Sequence, residues 1–181
     1  MELKTLLEMD ADLSQRIRLD ASQSFLKKAA AFLAHSGDSW FWAIGLGLVW
    51  LFAGSEWRSR AALLLAGIVG LAVTVLAIKF TIRRRRPEGE WGAIYRSTDT
   101  HSFPSGHAAR AFMLALLALF LGPEWFGWLV LVWAPFVSLS RVAMGLHFLS
   151  DVIAGMVIGL IAGLFLLWIY PFLSHLLPFI F

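Results

Sequence analysis

Cysteine is absent from this chain of 181 residues, which excludes disulfide bonds and metal sites built on thiolates. Charged residues are also scarce, at 15% of the sequence, whereas 59% of it is hydrophobic. Soluble domains rarely exceed about half apolar content. The composition therefore excludes an ordinary soluble domain and predicts an integral membrane protein.

The few charges sum to a formal net charge of +3. The basic residues are set among apolar segments rather than along one polar face, so nucleic-acid binding is not expected. Their distribution fits contact with the lipid bilayer or with an anionic substrate.

Charged residues interrupt the first 36 residues throughout, whereas the rest of the chain contains long uncharged runs. Their opening, MELKTLLEMDAD, lacks the basic start of a secretory signal, so we expect it to belong to the mature protein. A single helical stripe holds Leu3, Leu6, Leu7, Leu13 and Ile17, which predicts an amphipathic helix in the membrane interface. The next segment, SFLKKAAAFLAH, is interrupted by two lysines and is expected to be interfacial, with a membrane crossing as the alternative.

Five uncharged runs follow, at 39–55, 61–78, 111–123, 125–140 and 152–173. A helix needs about 20 residues to cross the roughly 30 Å hydrocarbon core, and shorter runs can span it by local thinning. The sequence thus predicts an all-α membrane bundle of about five transmembrane helices, or six if 23–36 crosses. We expect one domain over 1–181, with 1–36 interfacial and 37–181 forming the transmembrane bundle. Gly155, Gly159 and Gly163 predict close packing inside it, with dimerisation as the alternative.

Ionisable side chains lie at the ends of these runs. The second run leads into AIKFTIRRRRP, the third follows SFPSGHAAR, the fourth ends at SLSR and the fifth begins at HFLSD. In an alternating bundle these four places share one face of the membrane. Topology alone is therefore expected to gather Lys79, Arg86, His107, Arg141, His147 and Asp151.

A phosphate is the predicted occupant of this cluster. Three cations, Lys79, Arg86 and Arg141, would repel one another without an anion between them, and arginine forks suit phosphate oxygens. Gly106 lets the backbone approach a ligand closely, and Ser105 offers a hydroxyl and an amide as donors. The helix that starts there also points free N–H groups at an anion.

The two histidines complete the predicted chemistry. His147 and Asp151 are four residues apart, so on a helix the carboxylate would lie one turn from the imidazole and orient it. This arrangement favours His147 as a nucleophile, with His107 as the acid for the leaving oxygen. Each residue alone has a simpler explanation, since cations at helix ends often snorkel to headgroups. Because three separate segments each supply charge at the same membrane face, the combination favours a phosphate site over these simpler explanations.

The other charges of this face are predicted to lie outside the site. We expect Arg83, Arg84 and Arg85 to hold anionic headgroups, and Glu88, Glu90 and Asp99 to be solvated. No role is assigned to Arg96 or Arg110.

Three motifs resemble the signatures of the type 2 phosphatidic acid phosphatase (PAP2) superfamily. KFTIRRRRP fits the pattern K-x6-RP, PSGH is complete at 104–107, and SRVAMGLHFLSD fits SR-x5-H-x3-D. The resemblance implies a metal-independent phosphohydrolase without a cofactor, built as a helical membrane bundle. Many members have six crossings, and the chain departs from them in lacking a full apolar run within 1–36.

The resemblance also implies a role for each matched residue. His147 would attack phosphorus and form a phosphohistidine, and Asp151 would orient it. His107 would protonate the leaving group and then activate water. The phosphate oxygens would be held by Lys79, Arg86, Ser105, Gly106 and Arg141.

Within the superfamily the chain is most similar to the polyisoprenoid diphosphate phosphatases, the group of presqualene diphosphate phosphatase. Segments such as SG..W and SFPSGHA.RA carry this likeness. It predicts a membrane lipid phosphate as partner, specifically a prenyl diphosphate or monophosphate. A glycerolipid phosphate is the alternative substrate, and a non-catalytic protein that binds anionic lipid is the alternative from another class.

The distribution of lysine and arginine predicts the side of the site. Outside the catalytic set, ten basic residues fall on the active-site face, whereas the other face has only Arg58 and Arg60. The positive-inside rule then places the active site on the cytoplasmic face of the plasma membrane or of an internal membrane.

Overall fold

The computed structural model describes residues 3–20, 22–88, 99–178 and 180, and within these ranges the chain forms seven helices. We number them α1 (Leu3–Ile17), α2 (Ser24–Ser36), α3 (Ser39–Phe52), α4 (Ser55–Ile82), α5 (Gly106–Leu121), α6 (Glu124–Ala143) and α7 (Leu149–Leu176). Each of the five predicted apolar runs overlaps one of the helices α3 to α7. The expected all-α fold is therefore confirmed.

Helices α4, α6 and α7 are long and apolar enough to cross a membrane. Helices α3 and α5 are also apolar but shorter, with 14 and 16 residues. Large apolar side chains such as Phe52, Trp125 and Trp168 remain exposed on the outside of the bundle. Such extensive apolar surface suits contact with lipid, and the chain is an integral membrane protein.

Helix α5 lies at the centre of the bundle and packs against both α6 and α7. Its Met113, Leu114 and Leu117 are fully buried. On the α7 side, a Cβ atom added to Gly159 would fall 2.0 Å from the carbonyl oxygen of Ala109. Only a residue without a side chain permits this approach, so the repeated glycines of α7 serve packing inside the bundle.

Helix α1 turns its polar side to the protein and its apolar side outward. Leu6, Leu7 and Leu13 are exposed, as a helix in contact with the membrane interface requires. On the opposite side Asp10 accepts a hydrogen bond of 2.9 Å from the amide of Ser150, and the Ser14 hydroxyl accepts one of 2.8 Å from the amide of Leu149. Helix α1 thereby caps amides of α7 that have no acceptor within that helix.

The turn between α2 and α3 is fixed to the central helix. Arg110 of α5 donates from Nε to the carbonyl of Gly37 across 2.8 Å, and Trp133 of α6 donates to the hydroxyl of Ser36 across 2.9 Å. This turn lies at the same end of the bundle as the start of α5, the end of α6 and the start of α7. The predicted site residues are found at this end.

Candidate active site

A cavity of about 560 Å³ opens at this end of the bundle. Six of the eight predicted site residues line it: Lys79, Arg86, Gly106, His107, Arg141 and His147. The side wall that α4 contributes is mostly apolar. The topological expectation that separate helix ends bring these residues together therefore holds.

The other two predicted residues, Ser105 and Asp151, lie behind the cavity wall and are fully buried. The amide of Ser105 donates to the carbonyl oxygen of Asp151 across 2.9 Å, so this predicted donor is already engaged. The Ser105 hydroxyl accepts a bond from the amide of Ala108 at the start of α5. Only its hydroxyl proton remains for the predicted phosphate contact.

His147 is not on a helix, which corrects the prediction that it sits one helical turn from Asp151. Helix α6 ends at Ala143, and Gly145 adopts a positive φ of 66° that reverses the chain before α7 begins. His147 occupies the turn that follows. Its Nδ1 lies 3.6 Å from Oδ2 of Asp151, which is close enough for an electrostatic interaction but longer than a hydrogen bond.

The Nε2 atom of His147, the predicted nucleophile, faces the cations. Arg86 donates from Nη1 to Nε2 of His147 across 3.2 Å, which leaves the proton of the neutral ring on Nδ1, toward Asp151. Burial, with the positive charges of Arg86 and Arg141, lowers the pKa of His147 to about 4 against the opposing effect of Asp151. The ring is therefore neutral at physiological pH and presents a lone pair to the site.

Arg84 holds Asp151 in place, which corrects the expectation that it binds lipid headgroups. Its Nη1 donates to Oδ1 of Asp151 across 2.8 Å and its Nη2 to Asp10 of α1 across 2.7 Å. The guanidinium also lies 4.0 Å from the centroid of the Phe148 ring. The run of four arginines concealed this role, because nothing in it distinguishes Arg84 from the exposed Arg83 and Arg85.

His107 has a carboxylate partner that the motifs do not contain. Its Nε2 donates to Oδ1 of Asp38 across 2.7 Å, and Nδ1 of the exposed His35 donates to Oδ2 of the same carboxylate across 3.1 Å. Burial alone would raise the pKa of Asp38. The two hydrogen bonds nevertheless hold this pKa well below its usual range. The sequence feature that could have pointed to Asp38 is its position directly before the uncharged run 39–55.

Asp99 lies among the cations, which corrects the expectation that it is simply solvated. Its carboxylate accepts from Nζ of Lys79 and, across 2.7 Å, from Nη2 of Arg86. Burial alone would raise the pKa of Asp99. The hydrogen bond from Lys79 and the charge of Arg86 nevertheless keep this pKa below its usual value. A carboxylate thus occupies donors that a phosphate would use.

The remaining predicted charges are distributed as follows. Arg83, Arg85 and Glu88 are exposed, whereas Arg110 is buried and supports the turn before Asp38. Arg96 and Glu90 lie outside the residues that the structure describes.

The chain is similar to a known family and to several characterised proteins. The PAP2 superfamily model matches residues 60–174. The bacitracin transport permease protein BcrC of Bacillus licheniformis is 31% identical over 163 residues, which cover 87% of this chain and 78% of that protein. The undecaprenyl-diphosphatase BcrC of Bacillus subtilis strain 168 is 29% identical over 126 residues, which cover 67% of this chain and 64% of that protein.

A solved structure shares the fold. The PAP2-type phosphatidylglycerolphosphate phosphatase from Bacillus subtilis superposes with a TM-score of 0.73 at 24% sequence identity. The superposition covers 91% of this chain and 85% of that one.

Proposed function

Since the chain belongs to the PAP2 superfamily and is a membrane lipid phosphatase, we propose that it hydrolyses a polyisoprenoid diphosphate or monophosphate through a phosphohistidine. The observation that carries this proposal is the orientation of His147, whose Nε2 faces the cavity beside Arg86 while Asp151 lies behind its Nδ1. The similarity to an undecaprenyl-diphosphatase supports the choice of lipid.

The first half of the reaction makes the phosphoenzyme. Nε2 of His147 attacks phosphorus with its lone pair, and the bond from phosphorus to the leaving oxygen breaks. His107 gives its proton to that oxygen, and Asp38 stabilises the cationic form of His107 that must exist beforehand. The lipid product, a prenyl monophosphate or a prenol, then leaves.

The second half releases phosphate. Neutral His107 takes a proton from water, and the water oxygen attacks phosphorus as the bond to Nε2 of His147 breaks. This step returns both histidines to their starting protonation states. No metal or cofactor is required in this scheme, because the protein's own cations balance the charge of the phosphoryl group.

The cations hold the phosphate throughout. Lys79, Arg86, Arg141 and the amide of Gly106 line the cavity and would bind the equatorial oxygens, with the Ser105 hydroxyl behind them. Asp99 would give up at least part of its contacts when the substrate arrives. Asp151 and Arg84 would keep the imidazole of His147 aimed at phosphorus.

Phosphate release from a panel of lipids tests this function. Purified protein with EDTA present should release phosphate from farnesyl, geranylgeranyl and undecaprenyl diphosphates faster than from phosphatidate in competition. Faster release from phosphatidate or phosphatidylglycerol phosphate would establish the glycerolipid alternative. No release from any lipid phosphate would establish a non-catalytic lipid-binding protein, and loss of release with EDTA would contradict the metal-independent scheme.

We also propose that the whole chain, 1–181, acts as one catalytic unit with about five membrane crossings and the site on the cytoplasmic face. The natural absence of cysteine makes labelling straightforward, since a cysteine introduced near Glu90 would be the only one. An impermeant thiol reagent should label it only after the membrane is opened. Labelling in intact cells would place the site on the outer face.

A further inference from the structure

Helix α1 and the residues that follow it contact the turn that carries His147. The amide of Leu19 donates to the carbonyl of Ala143, the last residue of α6, across 2.9 Å. The side chain of Arg18 lies against Gly145, where a Cβ atom would fall 3.1 Å from its Nε. Beyond the turn, the first amides of α7 donate to side chains of α1. The turn is therefore held at both ends by a segment that lies outside the stretch matching the family.

Asp10 links α1 to the buried carboxylate behind His147. Its Oδ1 accepts from the amide of Ser150 across 2.9 Å, and its Oδ2 accepts from the Ser150 hydroxyl and, across 2.7 Å, from Nη2 of Arg84. The other terminal nitrogen of Arg84, Nη1, donates to Oδ1 of Asp151 across 2.8 Å. One guanidinium therefore bridges two carboxylates, one on α1 and one on α7.

The side chain of Arg84 depends on Asp10 for its direction. Both side chains are largely buried, with 17% of Arg84 and 13% of Asp10 exposed, whereas the arginines on either side of Arg84 are exposed. A charge-assisted hydrogen bond to the Asp10 carboxylate keeps the guanidinium in the fold rather than in water. Without that charge the guanidinium would lose one of its two anchors, and Asp151 would lose a fixed donor.

Asp151 is held at both of its oxygens. Oδ1 accepts from Arg84, and Oδ2 accepts from the amide of Phe148 across 2.9 Å. Oδ2 also lies 3.6 Å from Nδ1 of His147. A rotation of the carboxylate would move Oδ2 away from the imidazole, and a misplacement of about 1 Å near reacting groups can cost about 100-fold in rate. Asp10 does not line the phosphate cavity, so its route to the reaction runs through Arg84.

We propose that Asp10 is a positioning residue of the phosphatase reaction, which fixes Arg84 and so keeps Asp151 behind the imidazole of His147. The role of Asp10 rests on the proposed function, because it takes His147 as the nucleophile. It makes α1, which the family match leaves out, a part of the catalytic unit. Loss of the Asp10 charge should therefore slow attack on phosphorus without weakening the binding of the lipid phosphate.

Three residues of α1 provide a matched set of variants. Asp10→Asn keeps the size of the side chain and an oxygen for the amide that it accepts, but removes the charge that holds Arg84. Ser14→Ala removes the acceptor of the Leu149 amide, another contact between α1 and α7, without touching Arg84. Asp12→Asn changes an exposed aspartate of the same helix. The first two variants separate the link to Arg84 from general bracing of α7.

The experiment measures single turnovers of radiolabelled farnesyl diphosphate, and in parallel of radiolabelled phosphatidate, with each purified protein in excess over the lipid. For Asp10→Asn we expect the maximal rate constant of lipid cleavage to fall about tenfold, with the protein concentration at half-maximal rate unchanged. Ser14→Ala and Asp12→Asn should match the wild-type rate constant. A loss of folded protein would instead raise the concentration needed for half-maximal rate and leave the maximal rate constant unchanged.

The double variant Asp10→Asn with Arg84→Gln tests the route. If Asp10 acts through Arg84, the double variant should cleave the lipid no more slowly than Arg84→Gln alone. A further tenfold fall in the double variant would overturn the proposal. A wild-type rate constant for Asp10→Asn, or equal falls for Asp10→Asn and Ser14→Ala, would overturn it as well.

The two proposals can fail separately. Cleavage of phosphatidate but not of farnesyl diphosphate would refute the proposed lipid, and the comparison of variants would then be made on phosphatidate. If His147→Ala is inactive but Asp10→Asn cleaves the lipid at the wild-type rate, only the role of Asp10 is refuted. If His147→Ala retains its activity, the proposed nucleophile and the role of Asp10 fail together.

Discussion

The side chains of Asp38 and His107 are joined by a hydrogen bond of 2.7 Å, although 69 residues separate them in the chain. Asp38 precedes α3, and His107 lies in the first turn of α5. Arg110, one turn further along α5, holds the backbone of Gly37 and so fixes the position of the carboxylate. The site thus contains two histidine and aspartate pairs, His107 with Asp38 and His147 with Asp151.

The first prediction concerns Asp38, which we expect to act on the reaction through His107. Asp38→Asn removes the charge that stabilises the protonated ring, so hydrolysis of a prenyl monophosphate, whose alkoxide must be protonated, should slow by about 100-fold. The value of kcat/KM for p-nitrophenyl phosphate, whose leaving group needs no proton, should fall far less, because kcat/KM reports formation of the phosphoenzyme and not the water-activation step that both substrates share. Asp12→Asn, at an exposed aspartate, is the control. Equal losses on both substrates would indicate a purely structural role for Asp38.

The second prediction concerns the nucleophile. His147→Ala should abolish turnover and the phosphoenzyme, because it removes the nitrogen that we propose attacks phosphorus. His107→Ala should slow turnover strongly but still bind vanadate. Rapid quenching with a radiolabelled substrate measures the acid-labile phosphoenzyme directly. The exposed His175, at the far end of α7, provides the control variant His175→Ala. Near-normal turnover by His147→Ala would show that another residue is the nucleophile.

The third prediction separates two adjacent arginines. Arg84 anchors Asp151 and α1, whereas Arg83 is exposed. Arg84→Gln should therefore reduce kcat by about tenfold through misplacement of Asp151 and His147, with a smaller change in KM. Its melting temperature should also fall, since the link to Asp10 is lost. Arg83→Gln should leave kcat and the melting temperature unchanged, and equal effects of the two variants would refute the distinction.

The fourth prediction concerns Asp99, whose carboxylate lies against Lys79 and Arg86. Asp99→Asn removes a negative charge that competes with phosphate for these cations. Vanadate, which mimics the trigonal bipyramidal transition state, should then inhibit several-fold more tightly. Inhibition assays with the wild type as reference measure this change. Weaker inhibition would mean that Asp99 arranges the cations for phosphate rather than competing with it.

The fifth prediction concerns pH. A base loses its nucleophilic lone pair when the pH falls below its pKa, and the pKa of His147 is lowered from 6.5 to about 4. The acidic limb of kcat/KM, which reports the free enzyme, should therefore lie well below pH 6.5 once the ionisation of the substrate is corrected for. Loss of activity centred near pH 6.5 would show that His147 titrates as an ordinary histidine.

The sequence by itself determined which residues meet and at which end of the bundle. Uncharged runs of membrane-spanning character alternate in direction, so the motifs at their ends were bound to share one face. For this reason six of the eight predicted residues line one cavity. The four-residue spacing of the glycines in α7 separately anticipated their packing role. The length of an uncharged run carries this information because the membrane imposes a minimum apolar length on each helix that crosses it.

Only the tertiary structure decided which charges pair. Asp38, Arg84 and Asp99 were each assigned to solvent or headgroups or given no role, and each contacts a residue of the site. His147 was placed on a helix, but the turn at Gly145 carries it. These features depend on the path of loops and helix ends, where no periodic pattern constrains the backbone. A charged side chain there pairs with whatever opposite charge the packing of distant helices brings within reach, because burial makes an unpaired charge costly.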